Sequence, residues 1–202
     1  MTNTKGGEQS RTIVTAPNPV LSQIAKPVLK IDKSVVDLLS EMSKALLSAK
    51  DPVGVGLAAP QIGKSVRIFL AKPTEKSPIS FFINPQILSE STEQEVPAST
   101  NSAKIEANKP KKSKGKMLEG CLSLPNIWGE VARNPQITLS YSDEKGKART
   151  KNFKGFMAIV IQHEIDHLNG ILFPKRVLQQ KGALYKSEKN EENEDVFEEI
   201  EI

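Results

Sequence analysis

A chain of 202 residues with a single cysteine has the length of one domain and forms no intrachain disulfide, and no apolar stretch in it is long enough to cross a bilayer. Hydrophobic residues make up 38%, low for a chain folded throughout, so part of it is expected to lie outside any core. The formal charge of +4 conceals two opposed segments: eight acidic residues and one lysine from Glu188 to Ile202, against 27 basic and 16 acidic residues in the remainder.

Residues 1–11 lack the apolar core of a signal peptide and are expected to form a flexible N-terminus, followed by one folded domain over 12–180. Thr12 to Leu29 is punctuated by Pro17, Pro19 and Pro27, which favour an extended path. A first helix is predicted over 34–48, with Ser34 as its cap and Val35, Leu38, Leu39, Met42, Leu46 and Leu47 recurring at helical spacing. Next comes Gly54-Val55-Gly56-Leu57-Ala58-Ala59-Pro60-Gln61. Its two glycines permit a positive φ or the close approach of another group, and by themselves read equally as a plain turn. Strands are expected at Val66–Ala71, Phe81–Leu88 and Gln136–Ser142, which are rich in β-branched and apolar residues. Asp143-Glu144-Lys145-Gly146 marks a hairpin turn, with a returning strand over Ala148–Phe153.

Between 89 and 116 lies a polar insertion with six lysines from Lys104 to Lys116, too polar to bury a core and expected to be a surface loop. The acidic residues 181–202 are expected to be a disordered tail. Helices outside mainly antiparallel sheets make this an α+β fold, with the segment 156–168 as its central helix.

That segment, Phe156 to Leu168, contains no proline or glycine and is followed by Gly170, a residue suited to ending a helix. Ile159-Val160-Ile161 also fits a buried strand, but the length of the run favours a helix. Within it, Gln162-His163-Glu164-Ile165-Asp166-His167 is an H-E-x-x-H sequence holding the only two histidines of the chain. On a helix, His163 and His167 fall on one face a turn apart, so both imidazoles reach one divalent ion. Glu164 projects about 100° away from His163 and can approach a water at that ion without binding the ion itself. A chance match on an amphipathic helix is the plainer alternative.

Cys121, in Glu119-Gly120-Cys121-Leu122-Ser123-Leu124-Pro125, is the obvious third ligand. A free cysteine is otherwise a small buried hydrophobe or a histidine-activated nucleophile. With both histidines spaced for a metal, a nearby thiolate is captured as a ligand, leaving a fourth position for water. Zinc, ferrous iron, cobalt and nickel all suit such donors.

The three segments, in this order, resemble peptide deformylase, a family marked by G-x-G-L-A-A-x-Q, E-G-C-L-S and Q-H-E-x-D-H sequences. The resemblance extends over about residues 12–180. It implies that Cys121, His163 and His167 hold one divalent metal ion, ferrous iron in the cell, with zinc, nickel or cobalt alternatives in purified protein. Glu164 would be the general acid and base. The Gln61 amide and the Leu122 backbone N–H would donate to the formyl oxygen. Val55, Gly56, Glu119 and Gly120 would line a cleft in which an extended peptide pairs as an added strand. Val55, Leu122, Phe156, Ile159 and Val160 would wall an apolar pocket for methionine.

The implied reaction removes the N-formyl group from the N-terminal methionine of new polypeptides and releases formate. It implies a cytoplasmic protein of bacteria, or an organellar form that has lost its transit peptide, acting on formyl-methionine nascent chains. The basic body suits transient contact with the ribosome, although a lysine-covered solvated surface explains the charge equally well. Neither a membrane nor a specific nucleic acid is an expected partner. The insertion at 89–116 departs from the family, and Trp128 either stacks on downstream substrate residues or covers the core edge. A metallopeptidase would need a third histidine or a glutamate after the motif, where only the acidic tail offers one. A catalytically silent metal-stabilised module would fit the loss of Glu164 or Gln61, and both are present.

Overall fold

The computed structural model describes residues 12–50, 52–91, 117–192 and 194–201. The N-terminus expected to be flexible and most of the insertion, 92–116, lie outside the described residues. Among the described residues, three α-helices, α1 (Lys33–Ser48), α2 (Phe156–Leu168) and α3 (Phe173–Gln179), accompany nine strands. The strands are β1 (Gly56–Ala58), β2 (Ile68–Ala71), β3 (Ser80–Glu90), β4 (Met117–Cys121), β5 (Leu124–Val131), β6 (Gln136–Ser142), β7 (Ala148–Lys154), β8 (Leu184–Lys189) and β9 (Asp195–Ile200). They form two antiparallel sheets, in the orders β1-β2-β3-β6-β7 and β4-β5-β8-β9. The fold is α+β.

Local chemistry sets the element ends. Asp32, not Ser34, caps α1: its carboxylate accepts from the backbone N–H of Ser34 at 2.9 Å and of Val35 at 3.3 Å. The Ser34 hydroxyl is itself engaged by that carboxylate at 2.6 Å, so the helix starts one residue earlier than predicted. Leu39, Met42, Ala45 and Leu46 then bury a stripe of α1 against Leu57, Ile62, Ile68 and Leu70. In β3, Asn84 adopts a left-handed backbone (φ 51°), and its side-chain amide pairs with the backbone of Val28. Its Nδ2 donates to the Val28 carbonyl and its Oδ1 accepts from the Val28 N–H, both at 2.8 Å. The β6–β7 turn closes on Asp143, whose carboxylate accepts from the N–H groups of Lys145 and Lys147 while Gly146 takes φ 79°.

The larger core lies between α2 and the five-stranded sheet. Phe69 and Phe82 stack at 4.5 Å between ring centres, with Tyr141 and Phe153 at 4.7 and 5.7 Å from Phe82. Ala158, Ile161, Ile165 and Leu168 of α2 pack onto this layer. The helix is buried over almost its whole length, which is why its sequence is apolar on nearly every face.

The segment expected to be a disordered tail instead contains two strands: β8 and β9 pair with each other from Leu184↔Ile200 to Lys189↔Asp195, and β8 extends the second sheet through Trp128↔Tyr185. The acidic count hid a period of two. Tyr185 and Ser187 point inward and are buried, whereas Lys186 and Glu188 are solvated and paired at 2.6 Å. The folded unit therefore runs past residue 180 to 200. Among the described residues, no helix is long and apolar enough to cross a membrane.

Because Phe82 touches three other rings, Phe82→Ala is expected to lower the unfolding free energy by about 3–5 kcal/mol in urea denaturation.

Candidate metal centre

Helix α2 and strand β4 deliver the scarce residues to one point. One turn of α2 sets the His163 and His167 rings 5.0 Å apart, and Cys121, the last residue of β4, brings its Sγ to 3.1 Å from His167 Nε2. One donor atom from each of Cys121, His163 and His167 lies within 4.8 Å of the others. A thiolate and two imidazoles this close suit a divalent ion of intermediate softness. Burial alone would raise the Cys121 thiol, but the imidazoles of His167 and His163 outweigh it and bring the group down to about 5. The sulfur is thus ready as a thiolate, the form a metal takes.

A chain of buried charges orients the first imidazole. Glu119 Oε2 lies 3.0 Å from His163 Nδ1, which turns the other ring nitrogen toward Cys121 and His167. The Glu119 carboxylate is also held in a fork by Arg133, at 2.8 and 3.0 Å. Burial opposes its charge, but the hydrogen bonds from His163 and Arg133 win and hold it down at about 2. Arg133 continues to Asp166 at 2.6 Å, and Asp166 to Arg176 at 2.6 and 3.0 Å. Glu119 therefore borders the cleft but spends its carboxylate on His163, a use the sequence did not suggest. Arg133 escaped sequence reading because nothing local marks an arginine that pairs across elements. Asp166, inside the histidine motif, was the available signal.

Two further residues face the same point. Gln61 Oε1 accepts from the Ala58 N–H at 2.8 Å, so its amide nitrogen turns to Cys121 Sγ at 3.5 Å and Ser123 Oγ at 3.3 Å. Glu164 is buried, and its Oε2 is one of two buried side-chain atoms among the described residues with no hydrogen-bond partner, the other being His167 Nδ1. Burial pushes the Glu164 carboxyl up to about 7, against the pull of His163 and His167. Gly56 makes room for it: a Cβ at that position would run into Oε1 and stand 2.8 Å from Cδ. Neither Gly54 nor Gly56 has a positive φ, so close approach is the reason for the second glycine.

The cleft in front of these groups measures about 190 Å³. Val55, Gly56, Gln61, Glu119, Gly120, Cys121, Leu122, Phe156, Ile159, Val160, His163 and Glu164 all border it, while His167 is buried against the Cys121 sulfur. Phe156 stands at its mouth, 40% exposed. Gly54, Leu118, Trp128, Pro52 and Val53 complete the walls; Leu118, Pro52 and Val53 were not singled out in the sequence, whereas Trp128 was expected either to stack on downstream substrate residues or to cover the core edge. A polar hollow of about 460 Å³ around Arg67, Gln86, Asn169 and Arg176 contains none of Cys121, His163, Glu164 and His167.

Residues 10–183 match the family described as polypeptide deformylase. The chain is similar to a peptide deformylase of Mesorhizobium japonicum, 34% identical over 174 residues that cover 85% of this chain and 86% of that protein. It is also similar to one of Chlorobium phaeobacteroides, 39% identical over 164 residues, covering 78% and 74% of the two chains. Among solved structures, a peptide deformylase from Synechococcus elongatus in complex with actinonin superposes with a TM-score of 0.68 at 30% identity, covering 87% of this chain and 84% of that one. The peptide deformylase from Thermotoga maritima gives 0.67 at 33% identity, with 82% and 96% covered.

Removing the carboxylate beside His163 should loosen the ligand set. Glu119→Ala is expected to weaken metal affinity by about 10–100-fold, measured by competition with a chelator.

Proposed function

The chain belongs to the polypeptide deformylase family, and from that premise we propose that it removes the N-formyl group from the N-terminal methionine of newly made polypeptides, releasing formate. The observation that carries this reading is the Glu164 carboxylate. It is buried, unpaired at Oε2 and held at about 7, in the cleft that also contains the sulfur of Cys121 and the Gln61 amide. A base with that affinity for a proton works best near neutral pH.

Cys121, His163 and His167 would hold the ion, ferrous iron in the cell, with zinc, nickel or cobalt suited to the same donors. When bound, such an ion acts as a Lewis acid and lowers the pKa of water at its open position. Glu164 takes the proton from the attacking water and returns it to the leaving amine. The Gln61 Nε2 group and the Leu122 backbone N–H donate to the formyl oxygen as charge develops there, each donor contributing on the order of 3 kcal/mol. Gln61 is preset for this, because Ala58 already occupies its Oε1.

The methionine side chain occupies the apolar walls of Val55, Leu122, Phe156, Ile159 and Val160. Beside them β4 is an edge strand of its sheet, so Glu119 and Gly120 have backbone groups to offer an extended peptide. Nascent chains place the reaction in the bacterial cytoplasm, where the basic body of the protein suits transient contact with the ribosome.

Protein purified anaerobically with iron is expected to release formate from formyl-Met-Ala-Ser. Glu164→Ala should keep the metal and lose at least about 10²-fold in turnover; a near wild-type rate would remove Glu164 as the base. Gly56→Ala should also retain the metal yet lose about 10²-fold in turnover, because the added methyl displaces the Glu164 carboxylate.

A further inference from the structure

One stretch near the N-terminus touches all three of the segments that carry the site. The Val14 N–H donates to the Gln61 carbonyl at 2.8 Å, and the Ala16 N–H to the Ser123 carbonyl at 2.9 Å. Further on, the Ala25 N–H donates to the Leu168 carbonyl at 2.9 Å, one residue beyond His167. Ile13 packs on the same apolar cluster as Ile62 and Leu122, while Leu21 and Ala25 are buried. The stretch is therefore anchored on both sides of Val14 and Ala16.

The first two contacts fall on different sheets. Gln61 follows β1 of the five-stranded sheet, whereas Leu122 and Ser123 follow β4 of the other. Among the described residues, no backbone hydrogen bond runs directly between residues 54–61 and 119–125. The Gln61 amide does reach across, but it stands 3.3 Å from Ser123 Oγ, beyond the usual range for an N–H···O bond. Val14 and Ala16 thus supply the backbone link between the two segments that hold the oxyanion donors.

We propose that this N-terminal strap is the spacer of the oxyanion hole: Val14 and Ala16 hold the backbones of Gln61 and Ser123 at the separation where both donors meet one formyl oxygen. The inference rests on the deformylase reading. Two residues of chain span at most about 7 Å, so donors on Val14 and Ala16 limit how far the two sheets can part at this point. The Gln61 side chain is already tied to Ala58, so a shift of that segment carries the amide with it. An oxyanion donor works at about 2.7–3.1 Å from the charged oxygen, a tolerance that a loose joint between sheets would exceed. Val14 and Ala16 are positioning residues, because they act through Gln61 and Leu122 and do not touch the substrate.

Turnover of formyl-Met-Ala-Ser by the full-length iron-loaded protein gives the first test. Val14→Pro removes the N–H, and Val14→Ala keeps it. Val14→Pro should lower kcat about tenfold, with KM within about twofold of the wild type and metal content unchanged, because the lost alignment matters only as charge develops on the formyl oxygen. Val14→Ala, which retains the donor, should keep the wild-type kcat. Nuclear magnetic resonance of the isotope-labelled, zinc-loaded protein is independent of turnover. There the Gln61 side-chain amide and the Leu122 backbone amide should shift in Val14→Pro and stay in place in Val14→Ala.

Equal kcat in Val14→Pro and the wild type overturns the proposal, as does a loss shared with Val14→Ala or accompanied by loss of metal. If the wild type releases no formate, the deformylase reading fails and the resonances decide: Gln61 and Leu122 signals that do not move in Val14→Pro overturn the strap as well. Should Val14→Pro fail to fold, an ester in place of the Val14 N–H keeps the side chain and removes only the donor. It takes the same measurements, with the same expected values.

Discussion

Helix α2 carries Gln162, His163, Glu164, Asp166 and His167 into the interior, and everything around it answers the cost of doing so. A buried polar group without a partner costs about 1–3 kcal/mol. Gln162 is matched by the Asn134 backbone, donating to its carbonyl at 2.7 Å and accepting from its N–H at 3.1 Å. Asp166 is matched by Arg133 and Arg176, and His163 by Glu119. The second sheet exists partly to supply these partners, since Glu119 comes from β4 and Arg133 from the residues just after β5. What is left over is confined to Glu164 Oε2 and His167 Nδ1, and Glu164 lies in the cleft.

Alternation of charge explains why this network tolerates burial. Glu119, Arg133, Asp166 and Arg176 run negative, positive, negative, positive, with every link a hydrogen bond of 3.0 Å or less. Removing one member strands its neighbours, which costs far more than the pair contributes when intact. The same chain reaches from the solvent edge at Arg176 to the imidazole of His163, so the placement of that imidazole and the folding of the second sheet are mechanically one problem. Space is allotted just as tightly: Gly56 leaves room for the Glu164 carboxylate and Gly120 for the Trp128 ring.

Long periodic segments were legible in the sequence. Helix α2 and strand β6 have the predicted bounds, and the Asp143–Gly146 turn lies where its residues place it. Of the short strands, the four residues of β2 were marked by an apolar, β-branched run, whereas β1 with three residues and β4 with five carry no such run. The C-terminal strands were obscured by composition, because their acidic outer positions outnumber Tyr185, Ser187 and Phe197, which make the contacts. In the site, scarcity did the work. Two histidines and one cysteine left little choice of partners. By contrast, one glutamate among many gives no sign that its carboxylate serves a histidine, and Arg133 gives none that it bridges Glu119 and Asp166. The cap of α1 was misplaced by two residues because Ser34 and Asp32 both suit the role, and the carboxylate reaches both free N–H groups.

The central claim is that one ion sits among Cys121, His163 and His167, with Glu164 beside it rather than bonded to it. X-ray absorption at the metal edge of the zinc-loaded protein tests this most directly. The account predicts one sulfur at about 2.3 Å and two imidazole nitrogens at about 2.0–2.1 Å, with a Glu164→Gln variant giving the same spectrum. A shell without sulfur, or one that loses an oxygen in Glu164→Gln, would contradict it.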